Sequence, residues 1–336
     1  AIDGSKFKAV NNRDRNFTSA KLQRRMEEIE SSINRYLAAL DTADRQEPAV
    51  AHARSERLQD KIAALKAQMK ALKEIEVQLN ETPDKQISLT DPDARSMKTR
   101  GTGIVGYNVQ TAVDAKYHLI VAQEVTNVGI DRDQLSSMAK LARAAMGTQD
   151  LTAIADRGYF KGEEILACRE AGIKAIVPKT MTSGAKAEGR FDKADFIYDP
   201  STDEFQRPAG QRLIWRYSGI EKGMTMSRYW SSHCPRCTIK EKCTPSDYRR
   251  VSRWEHQSVL DDMQAQLDHA PDSMRIRRQT VEHPFGTIKL WMGSAHFLTK
   301  TLDRVSTEMG LHVLAYNLKR MMKILGNNAL IAAMRA

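Results

Sequence analysis

The sequence predicts an α/β fold with mixed strand pairing, and three observations carry that prediction. Residues 105–125 alternate as a strand, turn and returning strand. Two short apolar runs at 151–155 and 174–177 flank a helical stretch, as strands joined through a helix do. Helical periodicity fills residues 18–79 and returns from 254 to the end.

The first ten residues read as a short strand interrupted at Asp3-Gly4, a pair that usually marks a tight turn. Between 18 and 41, Leu22, Met26, Ile29, Ile33, Tyr36 and Leu40 repeat at alternating offsets of four and three. That is a heptad seam. After a polar break holding Pro48, the seam resumes with Leu58, Ile62, Leu65, Met69, Leu72 and Leu79, and Pro83 stops it. Two such helices on a short link fold back as an antiparallel hairpin. Their seam is used in self-packing, which predicts a structural arm over residues 11–95.

Residues 91–95 form a turn-rich loop, and 96–180 carry the main sheet and its helices. The helix at 130–145 is expected to turn Leu135, Met138 and Leu141 inward. Leu151-Thr152-Ala153-Ile154-Ala155 runs straight into Asp156-Arg157-Gly158-Tyr159. Residues 181–253 break the rhythm: they are polar, rich in Gly, Pro and Ser, and hold Cys234, Cys237 and Cys243. Residues 254–336 are helical, with Val305, Met309, Leu311, Leu314, Leu318, Met321 and Leu325 on one apolar face. Lys319, Arg320 and Lys323 rim it.

The chain has 336 residues, enough for a substantial core. There are 52 Lys and Arg against 42 Asp and Glu, a net charge of +10, which favours a polyanionic partner such as nucleic acid. No apolar run reaches membrane-spanning length and no signal peptide opens the chain, so a cytoplasmic protein is expected. The start at Ala1, in what reads as the end of a strand, suggests the downstream part of a longer protein. Four cysteines, three of them clustered, suit a reduced compartment and a metal site better than disulfides.

The chemistry is expected around residues 275–289. Arg278, Glu282 and Lys289 stand four and then seven residues apart, so a helix places them near one face. One carboxylate between two cations suits a metal ion beside a phosphate. Taken alone, the stretch also reads as a solvated helix with an Arg–Glu pair. Pro284 inside it predicts a bend close to the carboxylate. Asp156, at the end of an apolar strand, stands where α/β sheets bind ligands. Asp3, Asp156 and Glu282 together provide oxygen ligands of the type that hard divalent cations take. Two such ions can activate a water or a 3′ hydroxyl and stabilise the leaving oxygen of a phosphodiester.

Asp3-Gly4-Ser5-Lys6, Ala155-Asp156-Arg157-Gly158-Tyr159 and Val281-Glu282-His283-Pro284-Phe285-Gly286-Thr287-Ile288-Lys289 resemble the three catalytic blocks of bacterial insertion-sequence transposases of the Asp-Asp-Glu type. Among these, the likeness is to the insertion-sequence eleven-eighty-two family. Residues 106–114 and 314–320 look like further segments of it. The resemblance implies a ribonuclease H-like core interrupted by the helical hairpin and the Cys-containing insertion. It implies that Asp3, Asp156 and Glu282 ligate two Mg2+ or Mn2+ ions, that DNA is cleaved at the element's ends, and that the freed 3′ hydroxyl attacks target DNA. It also implies an upstream end-binding region and a homodimer on DNA. Where related enzymes carry a Tyr-Arg-Glu-Lys signature, this chain has Arg275, Arg278, Glu282 and Lys289. The three cations are expected to position phosphates rather than read sequence.

Zinc is a further candidate cofactor. Cys234, Cys237 and Cys243 fall one ligand short of a tetrahedral site, and His233 is the candidate fourth. Relatives often carry a cysteine where Arg207 precedes Pro208-Ala209-Gly210. Cys168 is expected in the core, His283 to pack on its helix, and Trp291 in the core, with stacking on a base as its rival role. A domesticated DNA-binding protein without catalysis, and a junction-selective nuclease, are the rival functions.

Overall fold

The computed structural model describes residues 1–43, 48–99, 101, 103–180 and 184–335. In chain order the strands and helices are β1 (Ile2–Lys8), β2 (Asn16–Thr18), α1 (Ser19–Ala43), α2 (Pro48–Glu81), β3 (Gln86–Ser88), β4 (Arg95–Met97), β5 (Ile104–Val113) and β6 (Ile120–Thr126). Then come α3 (Leu135–Met146), β7 (Thr152–Ile154), α4 (Gly162–Glu170), β8 (Lys174–Ile176), β9 (Ile197–Asp199), β10 (Glu204–Gln206), β11 (Arg212–Glu221), β12 (Met224–Trp230) and β13 (Val251–Trp254). The chain closes with α5 (Gln257–His269), α6 (Ser273–Gly286), a π-helical turn (Thr287–Trp291), α7 (Leu302–Leu325) and α8 (Asn327–Arg335). The mixed α/β class holds. Among the described residues no helix is long and apolar enough to cross a membrane.

The chain divides into two compact units, one of residues 1–3, 112–116 and 131–281, the other of 4–111, 117–130 and 282–336. In the first, β7 and β8 pair in parallel through Thr152 with Lys174 and Ile154 with Ile176, with α4 between them in sequence. Helix α3 buries Leu135, Met138, Ala139 and Ala142, whereas Leu141 is exposed. The inward stripe is therefore rotated towards the small alanines, which let helices approach closely.

Where the sequence shows only a polar break, residues 197–254 hold a five-stranded antiparallel sheet ordered β13-β12-β11-β10-β9. Its strands are half exposed, so their alternation is faint: β11 buries Leu213 and leaves Ile214, Trp215, Tyr217 and Ile220 at the surface. A usable signal was present in Lys222-Gly223, both at positive φ, which turn β11 into β12. Phe196, Phe205, Leu213, Tyr229, Cys243 and Val251 form this sheet's own core.

In the second unit α1 and α2 pack along the seam, with Leu22, Ile29, Leu72 and Leu79 buried together with Phe17 of β2. Helix α2 begins ten residues earlier than the seam suggested, because Pro48 opens it: a proline's missing N–H costs nothing in a first turn.

Strand β1 runs unbroken through Asp3-Gly4, correcting the expected turn. It lies beside β5, which also pairs with β4 and β6. The close approach depends on Gly106, where an added Cβ would fall 2.0 Å from the Phe7 carbonyl oxygen.

Helix α7 buries Val305, Met309 and Tyr316, while Leu311, Leu314, Leu318 and Leu325 are exposed. The single apolar face expected there is in fact two faces. Asn317 anchors α7 to β6 by accepting from the Ile120 N–H at 2.9 Å and donating to the Ile120 carbonyl at 2.8 Å.

Glu308 fastens the loop before α7 by accepting from the Leu298 N–H at 2.9 Å and the Thr299 hydroxyl at 2.7 Å. Burial alone would raise its pKa. The Thr299 hydroxyl and the two amides overcome that and hold it below the ordinary value. A depressed carboxylate stabilises the fold above its unfolded pKa, and that contribution disappears as pH falls through the folded one. Glu308→Gln is therefore expected to flatten the acid limb of stability below about pH 5, read by urea denaturation at stepped pH.

Candidate active site

Asp156 is where the core strand β7 meets solvent. Ala153 and Ala155 are buried, and Asp156 is the first charged residue beyond them. Its Oδ1 accepts from the Gly158 N–H at 2.7 Å, capping the short 3-10 turn Arg157–Tyr159. A Cβ at residue 158 would sit 2.9 Å from that oxygen, so the glycine is what allows the carboxylate to fold over the turn.

Asp3 reaches the same place from β1. One terminal nitrogen of Arg277, from α6, is 2.5 Å from Asp3 Oδ1 and 3.4 Å from Asp156 Oδ2. Two carboxylates that would repel are thus held within reach of one guanidinium. The Arg277 Nε is buried without a hydrogen-bond partner. Tyr159 is buried alongside, its hydroxyl raised well above the ordinary value by burial first and then by Asp131, Asp3 and Asp156. It therefore stays a neutral phenol at neutral and mildly alkaline pH.

No motif in the sequence singles out Arg277, whereas the four-residue offset to Glu282 points to Arg278. Arg278 is exposed, as is Arg275, whose Nε lies 3.1 Å from Asp272. The signal for Arg277 was its place on the inward stripe of α6 with Ser273, Thr280 and Val281, all buried, at offsets of four and three.

Glu282 is exposed and opens the second unit. Pro284 lies inside α6, and the helix gives way within a turn to the π-helical segment Thr287–Trp291. Pro284 removes the helical bond to the Thr280 carbonyl, and π turns recur at functional positions. Lys289 differs from expectation. Its Nζ donates to Ser5 Oγ at 2.6 Å and to the Lys6 carbonyl at 2.8 Å, and lies over the Phe7 ring. These contacts hold β1 in place. Trp291 is also a correction: it is 83 % exposed, because the π turn carries it out of the stripe that buries Ile288. His283 packs as expected, against Tyr316, with its Nδ1 3.0 Å from the phenol oxygen.

Asp91 and Asp93, in the loop before β4, hold structure together instead. Asp91 is fully buried, accepting from the Tyr107 hydroxyl at 2.9 Å and the Thr301 N–H at 3.1 Å. Asp93 accepts from the Leu302 N–H at 2.8 Å at the start of α7.

In the five-stranded-sheet region Cys234 and Cys243 are buried, Cys237 is half-buried and His233 is exposed. Cys168 is buried in α4, and burial pushes its thiol up to about 12. Among the described residues no three His, Cys, Asp or Glu side chains are grouped so as to hold a metal ion. The pair Asp3 and Asp156 nevertheless presents only oxygen donors, already facing a cation, and this is the chemistry of a hard divalent ion rather than a soft one.

Residues 77–318 match the model of the transposase DDE domain. The chain belongs to that family. The match carries transposase function and DNA as the partner. Asp156 and Glu282 fall inside the matched segment of this transposase domain, and Asp3 lies ahead of it. Comparison with curated proteins and with solved structures found no match.

Proposed function

We propose that this transposase domain cleaves DNA at the ends of an insertion sequence of the eleven-eighty-two kind and joins the freed 3′ hydroxyl to target DNA. It would do so as a homodimer in the bacterial cytoplasm, through a ribonuclease H-like core. The observation that carries the reading is the meeting of Asp3 and Asp156, remote in sequence, on one guanidinium.

Asp3, Asp156 and Glu282 are the residues proposed to hold two Mg2+ or Mn2+ ions. Bound there, such ions supply Lewis-acid activation of the attacking oxygen and charge stabilisation of the leaving one. Arg277 keeps Asp3 and Asp156 side by side before ions bind, limiting the rearrangement the site must undergo. Asp156, fastened to the Gly158 amide through one oxygen, turns the other to Arg277, from which an ion would take it over. Tyr159, neutral beneath them, adds no further charge.

Arg275 and Arg278, exposed on α6, are proposed to bind backbone phosphate. Replacing either with Ala is expected to lower the salt dependence of DNA binding by about one phosphate contact, read as the slope of log affinity against log salt. Lys289→Met is expected to leave that slope unchanged and to lower stability, since its charge is already spent on Ser5 and Lys6.

The experiment for the function is nicking of a terminal-repeat duplex with Mg2+ or Mn2+, comparing wild type with Asp156→Ala and Glu282→Ala. Equal nicking by the three proteins would sink the proposal. Absence of nicking by folded, DNA-binding wild type would instead favour a domain that has lost catalysis.

A further inference from the structure

The three clustered cysteines lie around a side chain that zinc cannot use. Arg207 follows β10 and starts the turn to β11, its N–H bonded to the Gln211 carbonyl at 3.1 Å and its carbonyl accepting from Gly210 at 2.8 Å. From there the side chain goes inward. Arg207 is only 4 % exposed, unusual for a residue that cannot lose its charge. One terminal nitrogen donates to Cys234 Sγ at 3.8 Å. Its Nε and second terminal nitrogen are buried with no hydrogen-bond partner.

The other two cysteines are close by. Cys237 closes the short turn begun by Cys234, its N–H bonded to the Cys234 carbonyl at 3.2 Å. Cys243 is held by its own N–H on the Lys240 carbonyl at 2.9 Å and packs into the apolar core of the sheet. Burial raises its thiol, while Arg249, the other two cysteines and Arg207 all act on it electrostatically. So Arg207 and the three sulfurs share one neighbourhood, within a single unit of the chain.

A structural zinc needs four ligands that can shed protons, at about 2.3 Å for thiolate sulfur. A guanidinium is never such a ligand, and its permanent charge repels a divalent cation brought beside it. His233 does not repair the set, since its side chain is exposed. A buried cation with two unmatched N–H groups gains from polarisable sulfur around it more than from apolar packing.

We propose that Arg207 takes the place of a structural metal: its guanidinium is the cation around which Cys234, Cys237 and Cys243 gather, and this region folds without zinc. The cluster then closes the end of the five-stranded sheet with no demand on metal supply.

Elemental analysis of the purified full chain tests this directly. Wild type is expected to carry well under one zinc per chain, with a melting temperature that EDTA leaves unchanged when Mg2+ is in excess. Arg207→Ala removes the competing charge and is expected to bind added zinc about tenfold or more tightly than wild type, read against a chromophoric chelator. Cys234→Ser in the Arg207→Ala background is expected to abolish the gain. Stoichiometric zinc in wild type, or a melting temperature lowered by EDTA with Mg2+ in excess and restored by zinc, would overturn the proposal. So would a folded Arg207→Ala protein that binds zinc no better than wild type. The wild-type measurements decide the matter even where the variant does not fold.

Discussion

Asp156→Asn and Glu282→Gln are each expected to lower metal-dependent nicking on the order of 10³-fold, with the protein still folded and still bound to DNA. The size follows from what an amide does to such a site. It keeps the shape of the carboxylate and removes the negative charge that recruits a divalent ion, so positioning and charge stabilisation fail together. Asp3→Asn is expected to match them. Arg277 holds Asp3 and Asp156 through one nitrogen, and a carboxylate so placed is available to any cation that displaces the guanidinium. Single-turnover nicking at saturating Mn2+, beside circular dichroism of each variant, separates loss of chemistry from loss of fold. A thousandfold loss in Asp156→Asn alone, with Asp3→Asn near wild type, would remove Asp3 from the ligand set and leave the first carboxylate unidentified.

The second large effect concerns stability. Asp91→Ala is expected to cost about 3 kcal/mol or more, read as the shift in urea midpoint at unchanged slope. Asp91 is fully buried and accepts from the Tyr107 hydroxyl with both oxygens and from the Thr301 N–H. Thr301 sits at φ 72° without being glycine, so its backbone is strained there and depends on that bond. Removing the carboxylate strands a buried hydroxyl and an amide at once. Tyr107→Phe is expected to cost less, since it deletes one donor and leaves Asp91 its Thr301 contact. A small cost in Asp91→Ala would mean that water readily replaces the carboxylate and that the loop is not fastened there.

Some of this was legible in one dimension. The seam of Leu22, Ile29, Leu72 and Leu79 specified the helical hairpin, because a period of seven needs only local geometry to become a packed face. The apolar run ending at Asp156 gave a strand with a carboxylate at its exit for a similarly local reason. The five-stranded sheet was not legible. Its strands pair each with the next along the chain, but they bury so few residues that no period of two marks them. Nor could the fate of Lys289 be read, since nothing in its own neighbourhood names Ser5 and Lys6 as partners. Trp291 is exposed although its residue type favours burial, because its position in the π turn, not its type, decides which way it points.

The sequence by itself determined the kind of protein: the order of its acidic blocks, the basic charge and the helical arm are properties of the chain, whatever its coordinates. Tertiary structure decided which cations are paired inside and which stay exposed, and placed Arg277 rather than Arg278 between Asp3 and Asp156. The physical reason is that period and composition are local, whereas the partner of a charge is set by which distant segment folds against it.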